Sequence, residues 1–308
     1  MLSRSGRRPR LVRHTARRGL ALAAIAGMAA ASLSFSNVTP AAMVGPAPPS
    51  LHDGVPTPDH VVVVVMENKN PEDALDPAQA PYLSGVAAQG AVFTDSRGVA
   101  RPSQPNYLAL FAGQTYGVTS NMCPLTLSGP NLAGELIDAG RSFAGFSEDL
   151  PFTGFTGCLA GDYRRKHEPW VNFEDLPASL HRPFTEFGPD FSALPTVAFV
   201  VPDLCHDTHN CKVADGDRWV QTHIDPYLRW AHDHNSLLVV TWDEGGKGKA
   251  NRIATVFLGP MVRPGRYSGQ IDHFRVLRTI EDMYDLRLVG ETGSVAPIEG
   301  VWALGTAP

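Results

Sequence analysis

The sequence predicts an α/β protein built on a mostly parallel central sheet with helices on both faces. Two observations carry this. The runs 60–66 (His-Val-Val-Val-Val-Val-Met) and 236–242 (Ser-Leu-Leu-Val-Val-Thr-Trp) are apolar without alternation, the pattern of strands buried on both faces of a parallel sheet. Extended and helical segments then alternate along the chain, as in doubly wound folds. Each long run ends in an acidic dipeptide, Glu67-Asn68 or Asp243-Glu244. Carboxylates just past such strands sit at the rim where open α/β sheets bind ligands.

In order along the chain, residues 1–45 hold seven arginines and no acid, and Arg17-Arg18-Gly19-Leu20 leads into an Ala-rich apolar stretch. This is the pattern of a bacterial export signal with a twin-arginine flavour, and the apolar stretch is short for a membrane span. Residues 46–58, rich in Pro and Ala, read as a linker. Residues 59–308 form the remaining domain, long enough for one large core. Within it the pattern predicts strands over 60–66, 91–95, 142–147, 196–201, 236–242 and 253–258. Helices are expected over 81–89, from 103 to about 112, and over 131–139, 216–234 and 272–284, with 150–195 irregular.

The chain carries 26 basic and 31 acidic residues. Without the seven N-terminal arginines the remainder is strongly acidic, a poor binder of nucleic acid or anionic membrane. Removal of the signal also leaves no segment for stable membrane insertion. Four cysteines, Cys123, Cys158, Cys205 and Cys211, fit an exported chain with two disulfides. Three pairings are open, and the favoured one is Cys123–Cys158 with Cys205–Cys211.

The candidate chemistry lies in four places. Glu67, Asn68, Asp243 and Glu244 offer hard oxygen ligands for one divalent metal ion, Mg, Ca, Mn, Zn or Fe. Ser103, in Pro102-Ser103-Gln104-Pro105, stands where a helix begins; it reads either as an N-cap or as a nucleophile activated by that metal. Asn106, one turn on, is placed to donate to a phosphate oxygen. The loop Asp203-Leu204-Cys205-His206-Asp207-Thr208-His209 follows a buried strand and offers a general acid or a ligand. Arg164-Arg165-Lys166-His167 is a dense basic run, a candidate phosphate clamp. His273, at the start of the last helix, carries a weaker signal.

Taken in order, Val-Val-Met-Glu67-Asn68, Pro102-Ser103-Gln-Pro105-Asn106-Tyr107, Phe146-Ser-Glu148-Asp149, Arg165-Lys-His167-Glu-Pro-Trp, Asp207-Thr-His209, Gly216-Asp217-Arg-Trp219 and Thr241-Trp-Asp243-Glu244 resemble the bacterial phosphoesterase family. That family belongs to the alkaline-phosphatase-like superfamily and contains acid phosphatases and phospholipases C. The likeness covers about residues 58–290 and is nearest to the secreted acid phosphatases of mycobacteria that act on phosphatidylinositol 3-phosphate.

The resemblance implies an exported, metal-dependent phosphomonoesterase whose substrate is a phosphate monoester, a phosphoinositide among the candidates. It implies a metal at Glu67, Asn68, Asp243 and Glu244, and Ser103 as the nucleophile that becomes phosphorylated. Asn106 matches a phosphate contact, and His167, Asp207 and His209 match active-site positions, with His209 the better proton donor to the leaving group. Two positions depart from the pattern. The family's His two residues before the nucleophile is Arg101, which with Lys166 offers positive charge to phosphate instead. Gly245-Gly246 follows the acidic pair, as in the phospholipase branch. The alternatives are a phospholipase C-type phosphodiesterase, a sulfatase (disfavoured because Tyr107 stands where that motif needs Arg), and a non-catalytic metal-binding surface protein.

Overall fold

The computed structural model describes residues 51–52, 54–248 and 250–303. The expected export signal and residues 46–50 of the expected linker lie outside the described residues. The later part of that linker is ordered: Leu51–His52 pairs antiparallel with Val55–Pro56, and Val55 joins the core.

Eight strands form the main sheet. In chain order they are β1 His60–Met66, β2 Ala91–Phe93, β3 Phe143–Ser147, β4 His181–Pro183, β5 Val197–Val201, β6 Ser236–Trp242, β7 Thr255–Leu258 and β8 Gly265–Tyr267. They lie side by side as β8-β2-β7-β6-β1-β5-β3-β4. Only β7 runs against its neighbours; the other contacts are parallel. The long runs read from the sequence are the two central strands.

The two edge strands, β4 and β8, carry no sequence signal because each is three residues long and, unlike the equally short β2, is not an apolar run. Pro183 is tolerated in β4 because an edge strand needs no donor on its outer side.

Besides a single turn at Pro71–Ala74, six α-helices among the described residues cover the sheet: α1 Pro81–Ala87, α2 Ser103–Ala112, α3 Leu132–Asp138, α4 Val213–His223, α5 Asp225–His232 and α6 His273–Met283. The unbroken valines of β1 serve both faces. Val61, Val63 and Val65 pack with Leu108 and Phe111 of α2, Leu136 of α3 and Leu277 and Ile280 of α6. Val62, Val64 and Met66 pack with Leu83 of α1, Val220 of α4 and Tyr227 of α5. Strand side chains alternate between faces, so a run with no polar position requires an apolar layer on each side.

The single helix expected over 216–234 is two, because Pro226 falls in the first turn of α5; proline has no N–H for an internal turn and suits a helix start. The strand expected over 253–258 also divides. Arg252–Ile253 pairs with Ser96–Arg97, which pairs with Ile271–Asp272, in a small separate sheet. Asp217 of α4 accepts the backbone N–H groups of Tyr82 (3.2 Å) and Leu83 (2.7 Å), satisfying the free first turn of α1. Gly216 lets α4 approach the loop after β5: a Cβ there would lie 2.5 Å from Thr208 Cγ2 and 2.7 Å from the His206 carbonyl. The Gly216-Asp217-Arg-Trp219 motif is thus structural.

Both favoured disulfides are present, Cys123–Cys158 and Cys205–Cys211. Among the described residues no helix is long and apolar enough to cross a membrane.

Candidate active site

β1 and β6 are neighbours in parallel register, Met66 opposite Trp242. Glu67 and Asp243 therefore leave the sheet side by side. The Asp243 amide donates to the Met66 carbonyl (2.9 Å) and the Asn68 amide to Asp243 Oδ1 (3.0 Å). Asn68 makes this turn at φ 57°, a left-handed conformation that Asn adopts more readily than most residues.

Glu67 is fully buried, and four side chains converge on it. Ser103 Oγ donates to Oε2 at 3.0 Å and Asn68 Nδ2 donates to the same oxygen at 2.6 Å. The Tyr107 hydroxyl donates to Oε1 at 2.7 Å, and His167 Nε2 lies 3.0 Å from that oxygen. Ser103 is the first residue of α2, yet its side chain caps no helix N–H; Pro102 holds the cap position. The N-cap reading of Ser103 is therefore set aside. Tyr107 is one turn on from Ser103 and stacks on His167, ring centroids 5.0 Å apart.

His167 Nδ1 is 3.7 Å from Asp207 Oδ2, and ligand atoms of Glu67, His167 and Asp207 all lie within 4.8 Å of one another. Asp207 also fixes its own loop: its backbone carbonyl accepts the Glu67 N–H, and Oδ1 accepts the His209 N–H. Burial, then the charge of Glu67, push the carboxyls of Asp207 and Asp243 well above the usual range. Burial opposes ionisation of Glu67 too, but the proximity of His167 and its hydrogen bond, followed by Lys166 and Tyr107, hold that carboxyl low.

Three carboxylates out of water cannot all carry charge without a cation. Asp207 Oδ2 and Asp243 Oδ2 are buried and lack a hydrogen-bond partner, and the His167 ring lies between Glu67 and Asp207. Unpartnered carboxylate oxygens beside an imidazole fit a divalent metal.

A sequence model of the phosphoesterase family matches residues 72–287. The chain belongs to the phosphoesterase family. It is a phosphoric ester hydrolase of the acid-phosphatase-like kind. It is 45% identical to a phosphatidylinositol-3-phosphatase of Mycobacterium tuberculosis, over 91% of this chain and 93% of that protein. It is 30% identical to an acid phosphatase of Aspergillus fumigatus over 74% of its own length, and spans 55% of the fungal protein.

Among solved structures, an alkaline phosphatase superfamily protein of Vibrio parahaemolyticus aligns at TM-score 0.54 with 11% identity, covering 82% of this chain and 72% of that one. Murine ectonucleotide pyrophosphatase/phosphodiesterase 5 aligns at 0.55 with 10% identity, covering 79% of this chain and all of that one. These two likenesses show the alkaline-phosphatase-like fold.

Other sequence candidates of this phosphoesterase divide. Glu244 is nearly buried and pairs with Arg101, Nη1 to Oε2 at 3.0 Å; Arg101 also donates to the Gly246 carbonyl. Lys166 is close enough to act electrostatically on Glu67, Asp207 and Glu244. His209 is exposed, its Nδ1 against Asn210 Oδ1 at 2.8 Å, near enough to influence the charge of His167.

Asn106 is corrected. Its amide nitrogen donates to the carbonyls of Ala100 (3.0 Å) and Pro102 (3.1 Å), and its oxygen accepts the Ala100 N–H (2.9 Å). With both N–H groups engaged, it braces the loop that presents Arg101 and Ser103 and has no donor left for phosphate.

The basic run is also divided. Arg165 is buried and donates to the carbonyls of Thr156, Leu125 and Val171, while Arg164 donates to Gly161 and Tyr163. Of this run, His167 contacts Glu67 and Lys166 acts on it electrostatically. The second acidic-histidine cluster, Glu148, Asp203 and His206, is a loop brace. Glu148 accepts from Trp219 Nε1, the Asp203 amide and His206, and Asp203 Oδ1 accepts the amides of Cys205 and His206.

Sequence reasoning missed Tyr107, Lys69 and the structural use of His273. Lys69 Nζ donates to the Thr208 carbonyl; half-burial pushes its pKa down against the pull of Asp207, Asp73, Glu67 and Asp243. His273 Nε2 lies 2.6 Å from the Asp243 carbonyl oxygen. The signal for Tyr107 was its i, i+4 spacing from Ser103, which puts both side chains on one face of α2.

Proposed function

We propose that this phosphoesterase is an exported, metal-dependent phosphomonoesterase that acts on phosphatidylinositol 3-phosphate through a Ser103 nucleophile. The observation that carries the reading is the Ser103 Oγ–Glu67 Oε2 hydrogen bond, 3.0 Å, at the buried floor of the carboxylate cluster. The substrate follows from the 45% identical mycobacterial phosphatidylinositol-3-phosphatase, which the chain matches over nearly its whole length. Export is supported by two disulfides, which persist in oxidising compartments.

Glu67, Asn68, Asp243 and Glu244 would hold a divalent ion, with His167 and Asp207 as further donors around Glu67. When bound, such an ion supplies Lewis-acid charge for the phosphoryl oxygens and favours the alkoxide form of a nearby hydroxyl. Ser103 directs its proton toward Glu67 Oε2, leaving an Oγ lone pair for in-line attack on phosphorus. Tyr107 holds Glu67 in the orientation that receives this hydrogen bond. Arg101 and Lys166 offer charge to the equatorial oxygens, and the exposed His209 protonates the leaving alcohol. The phosphoserine formed on Ser103 is then hydrolysed by water.

Ser103→Ala is expected to abolish phosphate release while leaving the unfolding transition unchanged; a variant that keeps a tenth of wild-type turnover sinks the nucleophile assignment. Chelation should remove activity and metal readdition restore it. Phosphate release without diacylglycerol release separates this reading from a phospholipase C.

A further inference from the structure

We infer that an apolar rim beside Ser103 docks this enzyme on a lipid bilayer. The inference rests on the reading of the site as acting on a phosphoinositide and says how such a substrate is reached. Among the described residues five large hydrophobic side chains are exposed. Three of them, Met122 (46%), Phe152 (60%) and Leu159 (64%), belong to this rim. The other two, Ile137 and Leu288, flank the Arg287 ion pairs with Glu135 and Asp138.

The three are structurally joined. Met122 and Leu159 adjoin the two halves of the exposed Cys123–Cys158 disulfide. Phe152 meets the Phe155 ring edge-on at 5.5 Å, and Phe155 meets the buried Tyr163 ring at 5.8 Å. Tyr163 lies in the small hairpin Leu159–Ala160 with Tyr163–Arg164.

The rim is anchored to the catalytic residues at both ends. Gln104, next to Ser103, bonds both backbone groups of Met122: Nε2 donates to its carbonyl at 3.0 Å and Oε1 accepts its N–H at 2.5 Å. Arg165, two residues before His167, donates its N–H to the Cys158 carbonyl at 3.1 Å. Apolar side chains held at the edge of a polar site are unfavourable in water and mark a contact surface. A substrate whose headgroup enters the site while its acyl chains stay in a membrane places the acyl region beside this rim. The chain is acidic, and the one acid of the same hairpin, Asp162, pairs with its one cation, Arg164, at 3.9 Å, so the hairpin carries no net positive charge. Attachment is thus by insertion of the apolar side chains and not by attraction to anionic headgroups.

The test is the triple variant Met122→Ser/Phe152→Ser/Leu159→Ser of the full chain. Wild type should cosediment with phosphatidylcholine vesicles that lack substrate, and the variant should bind at least about tenfold more weakly, given the apolar area removed. Phosphate release from vesicle-borne phosphatidylinositol 3-phosphate should fall by a similar factor, while hydrolysis of soluble p-nitrophenyl phosphate stays within about twofold. Wild type that fails to cosediment, a variant that cosediments equally, or a parallel loss of both activities overturns the inference. If wild type binds vesicles through the rim and cleaves p-nitrophenyl phosphate but not the phosphoinositide, docking stands and the substrate reading fails.

Discussion

Glu67 is the residue on which the site turns. It is buried, ionised and held from four sides, and each contact can be removed separately. Tyr107→Phe deletes one donor to Oε1 without opening a cavity. Loss of a hydrogen bond to a charged group costs about 2 kcal/mol, so kcat should drop on the order of tenfold or more with little change in KM. Steady-state kinetics on p-nitrophenyl phosphate checks this; an unchanged kcat means that Tyr107 does not orient Glu67. His209 is tested by its leaving group. His209→Asn should slow an alkyl phosphate far more than p-nitrophenyl phosphate, whose phenolate departs without a proton. Equal losses on the two substrates would remove the proton-donor role.

At the scale of elements, the site depends on how α2 and its preceding loop are seated. Asn106 ties Ala100 and Pro102 to the first turn of α2. Asn106→Ala is therefore expected to lower kcat about tenfold by letting Ser103 drift, and to add exposure of the Ala100 amide in hydrogen exchange. Asp217 acts on stability instead. Asp217→Ala leaves the Tyr82 and Leu83 amides without acceptors, which costs about 1–2 kcal/mol in urea unfolding with turnover intact. Gly216-Asp217-Arg-Trp219 and the Asp203–His206 segment look functional in a string, yet Asp217 and Asp203 accept backbone amides and Trp219 and His206 bond the Glu148 carboxylate.

On the scale of the whole molecule, pH couples to the fold through buried acids. Glu281 of α6 is wholly buried. Burial, partly offset by Thr292 and the Val289 N–H, pushes its pKa up from 4.5 to about 7. The folded state therefore binds a proton that the unfolded chain has released between these values, and stability from this group falls as pH rises from 4.5 through 7. A shift of this size corresponds to about 3 kcal/mol. Glu281→Gln keeps an acceptor for Val289 and does not titrate, so it should melt roughly 5–10 °C above wild type at pH 8 and with no advantage at pH 4. Equal advantage at both pH values would show that the carboxyl is not held protonated. The same burial that raises Glu281 lowers His181 to about 3, so acid destabilises through that ring while relieving the carboxyl.

The sequence alone determined the two central strands and the acidic dipeptides at their ends, because runs of β-branched residues and the residues that end them are local signals; among three open pairings it favoured the disulfides that the structure contains, and it offered Ser103 as a candidate. It did not distinguish a ligand from a brace. Asn106, Arg165 and His206 have the right chemistry for phosphate or metal, but Asn106 is used by the backbone of Ala100 and Pro102 in its own loop, Arg165 by carbonyls that include that of Leu125, and His206 by the Glu148 carboxylate, and only folding brings those partners into range. Tertiary structure also set Tyr107 and His167 against Glu67, since α2 and the loop after β3 meet the end of β1 only across the packed face of the sheet.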